Sequence, residues 1–267
     1  MTKIGVTVLA SGSNGNCVAI HSEDRTLLVD CGISKSELIH RLELSAISPD
    51  TIKGILLTHA HGDHVKGVDL VARTLEVPVY ATSACFDGLK AHIEKYSRKK
   101  ECTLLPRLFQ VGYTFECAQF QVTPFPVEHD ADTVGYVLTT PRGKIGIATD
   151  VGTPTHLLET FLRDCHTLVL ESNYDQNMLI QSPRSWDLKH RICGGHGHLS
   201  NRQAAELLPR LVTRNTRNVI LAHTSGDCNH YQLALDAAQE ALHSIQRDDI
   251  FLECGRRDGA IPTRWLN

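Results

Sequence analysis

Aromatic side chains are scarce in this 267-residue chain, Phe, Tyr and Trp together making 6%. That argues against a surface built from many stacking platforms for single strands, with Tyr174 and Trp186 as the possible exceptions. Charge of one sign is lacking too. The formal net charge is −3, so no global positive field marks a nucleic-acid binder, although local patches can suffice. Two candidates are Lys95-Tyr96-Ser97-Arg98-Lys99-Lys100, which also reads as a solvated helix end and loop, and Arg184 with Lys189, His190 and Arg191. No apolar run reaches transmembrane length. The start, Met1-Thr2-Lys3-Ile4-Gly5-Val6, goes straight into a strand pattern with no leader. The nine cysteines include no C-x-x-C pair, and an odd, scattered set argues for reduced thiols. The expectation is a cytoplasmic protein with no membrane partner.

What is present suits a packed α/β protein. With 42% hydrophobic and 21% charged residues the chain can bury a full core. Strand patterns cover 4–9, 18–21, 26–29, 54–57, 120–124, 134–139, 144–148, 167–170 and 219–221. Helix patterns cover 35–42, 65–75, 84–96, 201–213 and 231–245, with Ser200 and Gln203 spaced as a capping box. No linker interrupts them and potential ligands occur in both halves, which predicts one domain over 1–267.

The chemistry concentrates in Thr58-His59-Ala60-His61-Gly62-Asp63-His64, just past the apolar run Gly54-Ile55-Leu56-Leu57. His59, His61, Asp63 and His64 carry the imidazole and carboxylate donors that hold zinc, manganese or iron. One helix face would need ligands at i and i+4. This spacing suits a loop running into a helix, with donors splayed toward two points, and so suggests two metals. Further apolar runs end in His129, Asp150, His223 and Asp30. Polar residues at strand ends are where α/β scaffolds assemble sites, although each of these alone could cap a turn.

In this order the residues resemble the five motifs of the metallo-β-lactamase fold superfamily, over about residues 4–225. The resemblance implies an α/β fold, a four-layer αββα sandwich, with a dinuclear site. It implies His59, His61 and His129 on one metal, Asp63, His64 and His223 on the other, Asp150 bridging, and Asp30 orienting a ligand imidazole.

Three local features narrow the branch. Asp150 supplies a bridging carboxylate, which favours attack on phosphorus. Thioesterases of the fold share it. His198, in Gly197-His198-Leu199-Ser200-Asn201, stands at a helix start as in phosphodiesterases of this fold such as tRNase Z, and Glu171 matches the carboxylate that pairs with it. His198 also reads as a packed or capping residue. The loop Ser11-Gly12-Ser13-Asn14-Gly15-Asn16, which could be an ordinary turn, resembles the S-G-S-x-G-N loop of the WalJ/YycJ branch and of RNase J. The stretch from Asp150 to His223 is too short for the extra domain RNase J carries there. The resemblance therefore implies a hydrolase of the WalJ/YycJ kind: a dinuclear metal-dependent phosphodiesterase and 5′ exonuclease on DNA, favoured over RNA. Its cofactors would be two divalent ions, Zn or Mn with Fe possible. Asp63, His198 and Glu171 would be catalytic, and Ser11, Ser13, Asn16, Asn173 and Ser200 would bind substrate. The alternatives are a hydrolase of small cyclic phosphodiesters, thioesters or lactones, and a non-catalytic regulator.

Overall fold

The computed structural model describes residues 3–96, 102–104 and 106–266, so Ser97, Arg98, Lys99 and Lys100 of the first basic patch lie outside the described residues. The chain divides into two compact units, one of residues 1–124 and 256–267, the other of 125–255.

The first unit is a mixed sheet with helices. Its strands are β1 (Ile4–Ala10), β2 (Cys17–His21), β3 (Thr26–Val29), β4 (Ile52–Leu56), β5 (Val79–Ala81), β6 (Pro106–Leu108) and, from the chain end, β14 (Arg264–Leu266). Their order is β14-β1-β2-β3-β4-β5-β6. The β1/β14, β1/β2 and β2/β3 pairs are antiparallel, and β3/β4, β4/β5 and β5/β6 are parallel. A short hairpin joins β7 (Phe115–Cys117) to the start of β8 (Phe120–Val127). The continuous apolar runs of β1, β2 and β3 are buried along their whole length, as strands covered on both faces must be. Helices α1 (Lys35–Leu44), α2 (Gly62–Val65), α3 (Val68–Leu75) and α4 (Ser83–Tyr96) complete the unit. The continuous helix expected over 65–75 is broken at Lys66-Gly67. There the Gly67 N–H donates to Cys31 O at 2.8 Å, outside the helix. A Cβ on Gly67 would lie 2.0 Å from Ile33 O, so only glycine admits this approach.

The second unit takes β8 from Phe125 onward, then β9 (Thr133–Thr140), β10 (Gly143–Ala148), β11 (Thr167–Glu171), β12 (Asn218–Ala222) and β13 (Phe251–Cys254). In the order β13-β12-β11-β10-β9-β8, β10 to β13 are parallel and β9/β10 antiparallel. Its helices are α5 (His156–Leu162), α6 (Gln176–Gln181), α7 (Trp186–Cys193), α8 (Asn201–Leu211) and α9 (Tyr231–Ser244). The Ser200–Gln203 capping box forms at the start of α8. Among the described residues no helix is long and apolar enough to cross a membrane, and all nine cysteines are free thiols.

The first unit carries a pH-dependent element of stability. His21, 5% exposed, lies 3.1 Å from Thr7 Oγ1 with the Trp265 ring edge-on at 5.3 Å. Burial lowers its pKa to about 4. The unfolded chain protonates near pH 6.5, so between pH 6.5 and 4 it binds the proton that the fold refuses, and stability falls as pH falls. The loss reaches about 3 kcal/mol at pH 4 and is absent above pH 7. Urea unfolding across this range should show that the parent loses about this much more stability than His21→Gln. Parallel profiles would refute the assignment.

Candidate metal centre

In the first unit the donors follow β4. Thr58 to His61 form a loop that runs into the single turn of α2, so the His61 and Asp63 backbones point their side chains differently. His59 and His64 are fully buried, with ring centroids 4.2 Å apart, and the His61 ring is 4.6 Å from that of His59. Asp63 Oδ2 is 3.6 Å from His64 Nε2.

Asp30, immediately after β3, organises this group. Its Oδ1 accepts from Thr58 N at 2.9 Å. Its Oδ2 accepts from Thr58 Oγ1 and from His64 Nδ1, each at 2.8 Å. The Thr58 hydroxyl spends its one proton on Asp30, so it can only accept from His59 Nδ1, 3.0 Å away. Both imidazoles therefore carry the proton on Nδ1 and the lone pair on Nε2, the nitrogen a metal would take. His64 Nε2 meets Asn16 Nδ2 at 3.0 Å, an amide that an ion at this nitrogen would displace. Asp30→Asn should weaken divalent-metal affinity about 10- to 100-fold, measured by competition with a chromogenic chelator. An unchanged affinity would mean that Asp30 only braces Thr58.

In the second unit β10, β11 and β12 run in register, Ala148 against Leu170 and Leu170 against Leu221. Their carboxyl ends therefore deliver Asp150, Glu171 and His223 to one edge. Glu171, 0% exposed, is the hub. Its Oε1 accepts from His223 Nδ1 at 2.8 Å, His198 Nδ1 at 2.9 Å and Asp150 N at 3.1 Å. Its Oε2 accepts from Val151 N at 2.8 Å and Leu199 N at 2.9 Å. Burial pushes the Glu171 carboxyl up, but the His198 and His223 imidazoles outweigh it and bring the pKa to about 2. Burial pulls His198 down, and the Glu171 carboxylate more than offsets it, so His198 is raised.

A carboxylate only accepts, so His198 and His223 also hold the proton on Nδ1. The Gly197 carbonyl fixes His129 in the same tautomer, with Nδ1 to O at 3.0 Å. His129 Nε2 lies 3.7 Å and His223 Nδ1 3.4 Å from Asp150 Oδ1. Asp150, Glu171, His198 and His223 each offer an atom within one 4.8 Å cluster. Both Glu171 oxygens nevertheless accept imidazole and amide protons. Within each unit the donor chemistry fits a divalent metal: His59 and His64 in the first, His129 and His223 in the second, each present Nε2 backed by an oxygen acceptor on Nδ1.

Asp30, Asp150 and His223 adopt left-handed φ of 59°, 58° and 56°. Such conformations cost about 1 kcal/mol or more each and cluster where function demands them.

The residues expected at substrate are placed variously. Ser13 is exposed and Ser11 is buried, its N–H on Arg256 O. Asn16 is buried. Its N–H donates to Asp63 O at 2.8 Å and its Nδ2 to Asp63 Oδ2 at 3.2 Å. A Cβ on Gly32 would lie 1.6 Å from that same Asp63 carbonyl, so the turn after β3 is packed against the start of α2 as well. Asn173 Nδ2 donates to His223 O at 2.7 Å, and Ser200 caps α8. Tyr174 is 3% exposed and Trp186 63%, so only Trp186 presents an open ring. Sequence reasoning gave no role to Thr58, the residue just before His59. It also missed the buried Ser172–Asn201–Asn229 network that ties the end of β11 to α8. Lone Ser and Asn residues carry no periodic signal.

A family model described as a beta-lactamase superfamily domain matches residues 25–224, which span Asp30 to His223. The chain is 30% identical over 237 residues to the exodeoxyribonuclease YycJ of Bacillus anthracis, 88% of each chain being covered. It is likewise 30% identical over 237 residues to the exodeoxyribonuclease WalJ of Streptococcus pneumoniae serotype 2, covering 88% of this chain and 87% of that one. The metallo-β-lactamase fold protein YhfI of Bacillus subtilis superposes with a TM-score of 0.72 at 15% identity, over 97% of this chain and 99% of that one, a likeness of fold.

Proposed function

The chain belongs to the beta-lactamase superfamily, with the YycJ and WalJ exodeoxyribonucleases among its relatives, and from that premise we propose that it is a metal-dependent phosphodiesterase degrading DNA from the 5′ end in the cytoplasm. The single observation that carries the reading is the matched set of tautomers, with the lone pair on Nε2 of His59, His64, His129 and His223, and the carboxylate-held His198. His59, His61 and His129 would hold one divalent ion, Asp63, His64 and His223 the other, with Asp150 shared, and residues 1–267 would act as one hydrolase domain. Zn or Mn suits the donors, and Fe is compatible. When bound, such ions lower the pKa of water and neutralise charge on phosphoryl oxygens.

The chain's own residues do the rest. Asp63 orients the attacking water or takes its proton. Glu171 fixes His198 by Nδ1, leaving Nε2 to protonate the departing oxygen. His198 is 20% exposed at the side chain while Glu171 is sealed at 0%, which suits a proton donor at the edge of a site and its anchor behind it.

The test is end-labelled single- and double-stranded DNA incubated with Mn- or Zn-loaded protein, with Asp63→Ala as control. Stepwise loss from the 5′ end, absent in the variant, is the expected result. Full metal occupancy without cleavage would move the reading to a small phosphodiester or thioester.

A further inference from the structure

One exposed aromatic in the second unit is held as though for use. Trp186, the first residue of α7, is 63% exposed. The Lys189 ammonium lies over its ring at 4.8 Å. Lys189 is itself buried, 7% exposed, and its Nζ donates to the Ile180 carbonyl at 2.6 Å. A cation fixed by a backbone carbonyl over the ring orients the indole before any ligand arrives. His190, one turn on, meets the same indole at 6.1 Å and 45°.

Guanidinium groups on and beside the helix stand in ion pairs. Arg184 pairs with Asp227 at 3.1 Å and Arg191 with Asp130 at 2.6 Å. Asp227 is 78% and Arg191 62% exposed at the side chain. Exposed pairs of this kind hold little free energy, and guanidinium groups in them can exchange a carboxylate for a phosphate. The helix also leads to the catalytic candidate, because the His198 N–H donates to Ile192 O at 2.8 Å. At 1.5 Å rise per residue, Trp186 stands about 9 Å along the axis from that carbonyl.

We infer that Trp186, with Arg184, Lys189 and His190, forms a stacking subsite for an unpaired nucleobase of a single-stranded nucleic acid, on the helix whose end holds the backbone of His198, the residue that serves the scissile bond. The inference rests on the phosphodiesterase reading for the second half of that statement. The ligand class follows from the pairing of an exposed indole with guanidinium groups that can exchange a carboxylate for a phosphate, which suits a base joined to phosphates. An apolar protein partner would gain nothing from the cations.

The probe is a fluorescein-labelled phosphorothioate oligothymidylate, titrated against metal-loaded protein by anisotropy. Trp186→Ala should weaken binding about 5- to 150-fold, the range for losing one base–aromatic stack, and Trp186→Phe should restore most of it. In a Trp265→Phe background the strand should also quench the fluorescence of Trp186. On cleavable DNA the loss should fall on KM. Equal affinity of parent and Trp186→Ala, or no quenching of Trp186 by a bound strand, would overturn the subsite. A parent protein that cleaves no DNA would defeat the nuclease reading instead, and the binding titration would still decide this one.

Discussion

Glu171→Gln should lower the melting temperature by about 10 °C and strip the protein of part of its metal. Five protons converge on this carboxylate, three on Oε1 and two on Oε2. A glutamine amide can present oxygen to only one of the two groups. If the amino group faces Val151 N and Leu199 N, two buried N–H donors confront another donor. If it faces the imidazoles, His198 and His223 are pressed to move their proton to Nε2, where His223 could no longer bind a metal. Breaking a buried ionic contact costs about 3–5 kcal/mol, and in a domain of this size each kcal/mol is worth roughly 2–4 °C. Differential scanning calorimetry and metal analysis on the same preparation read both effects. A variant melting with the parent and fully loaded would show that Glu171 is not the hub.

His198→Ala should reduce kcat on DNA about 100- to 10,000-fold, the usual worth of a positioned acid, with metal content retained. The distinguishing measurement is the leaving group. A DNA 3′-oxygen departs as a strongly basic alkoxide and needs a proton. A p-nitrophenolate does not, so the nitrophenyl ester of thymidine phosphate should lose far less. Equal loss on both substrates would make His198 a binding or structural residue, and loss of metal would make it a ligand.

The donor residues were legible in the sequence because metal chemistry uses few residue types, and here four of them fall in residues 59–64. The long buried strands were legible as well, since β1, β2, β3, β11 and β12 are buried throughout their length and mostly apolar. The break between α2 and α3 was not. Residues 65–75 keep a helical apolar pattern, and what interrupts them is the Cys31 carbonyl, which takes the Gly67 N–H from the loop after β3. Helices α6 and α7 and strands β13 and β14 escaped for a related reason: α6 and β14 are too short for a period to emerge, while α7 and β13 mix polar and apolar residues on partly exposed faces.

By itself the sequence determined the donors, their order and the strands that end in them, since identity and hydrophobic period are properties of the chain. Only the tertiary structure decided which nitrogen of each imidazole carries the proton. Asp30 meets His64 across 34 positions and Glu171 meets His223 across 52. Contacts at that separation follow from strand register, and register follows from packing the whole sheet.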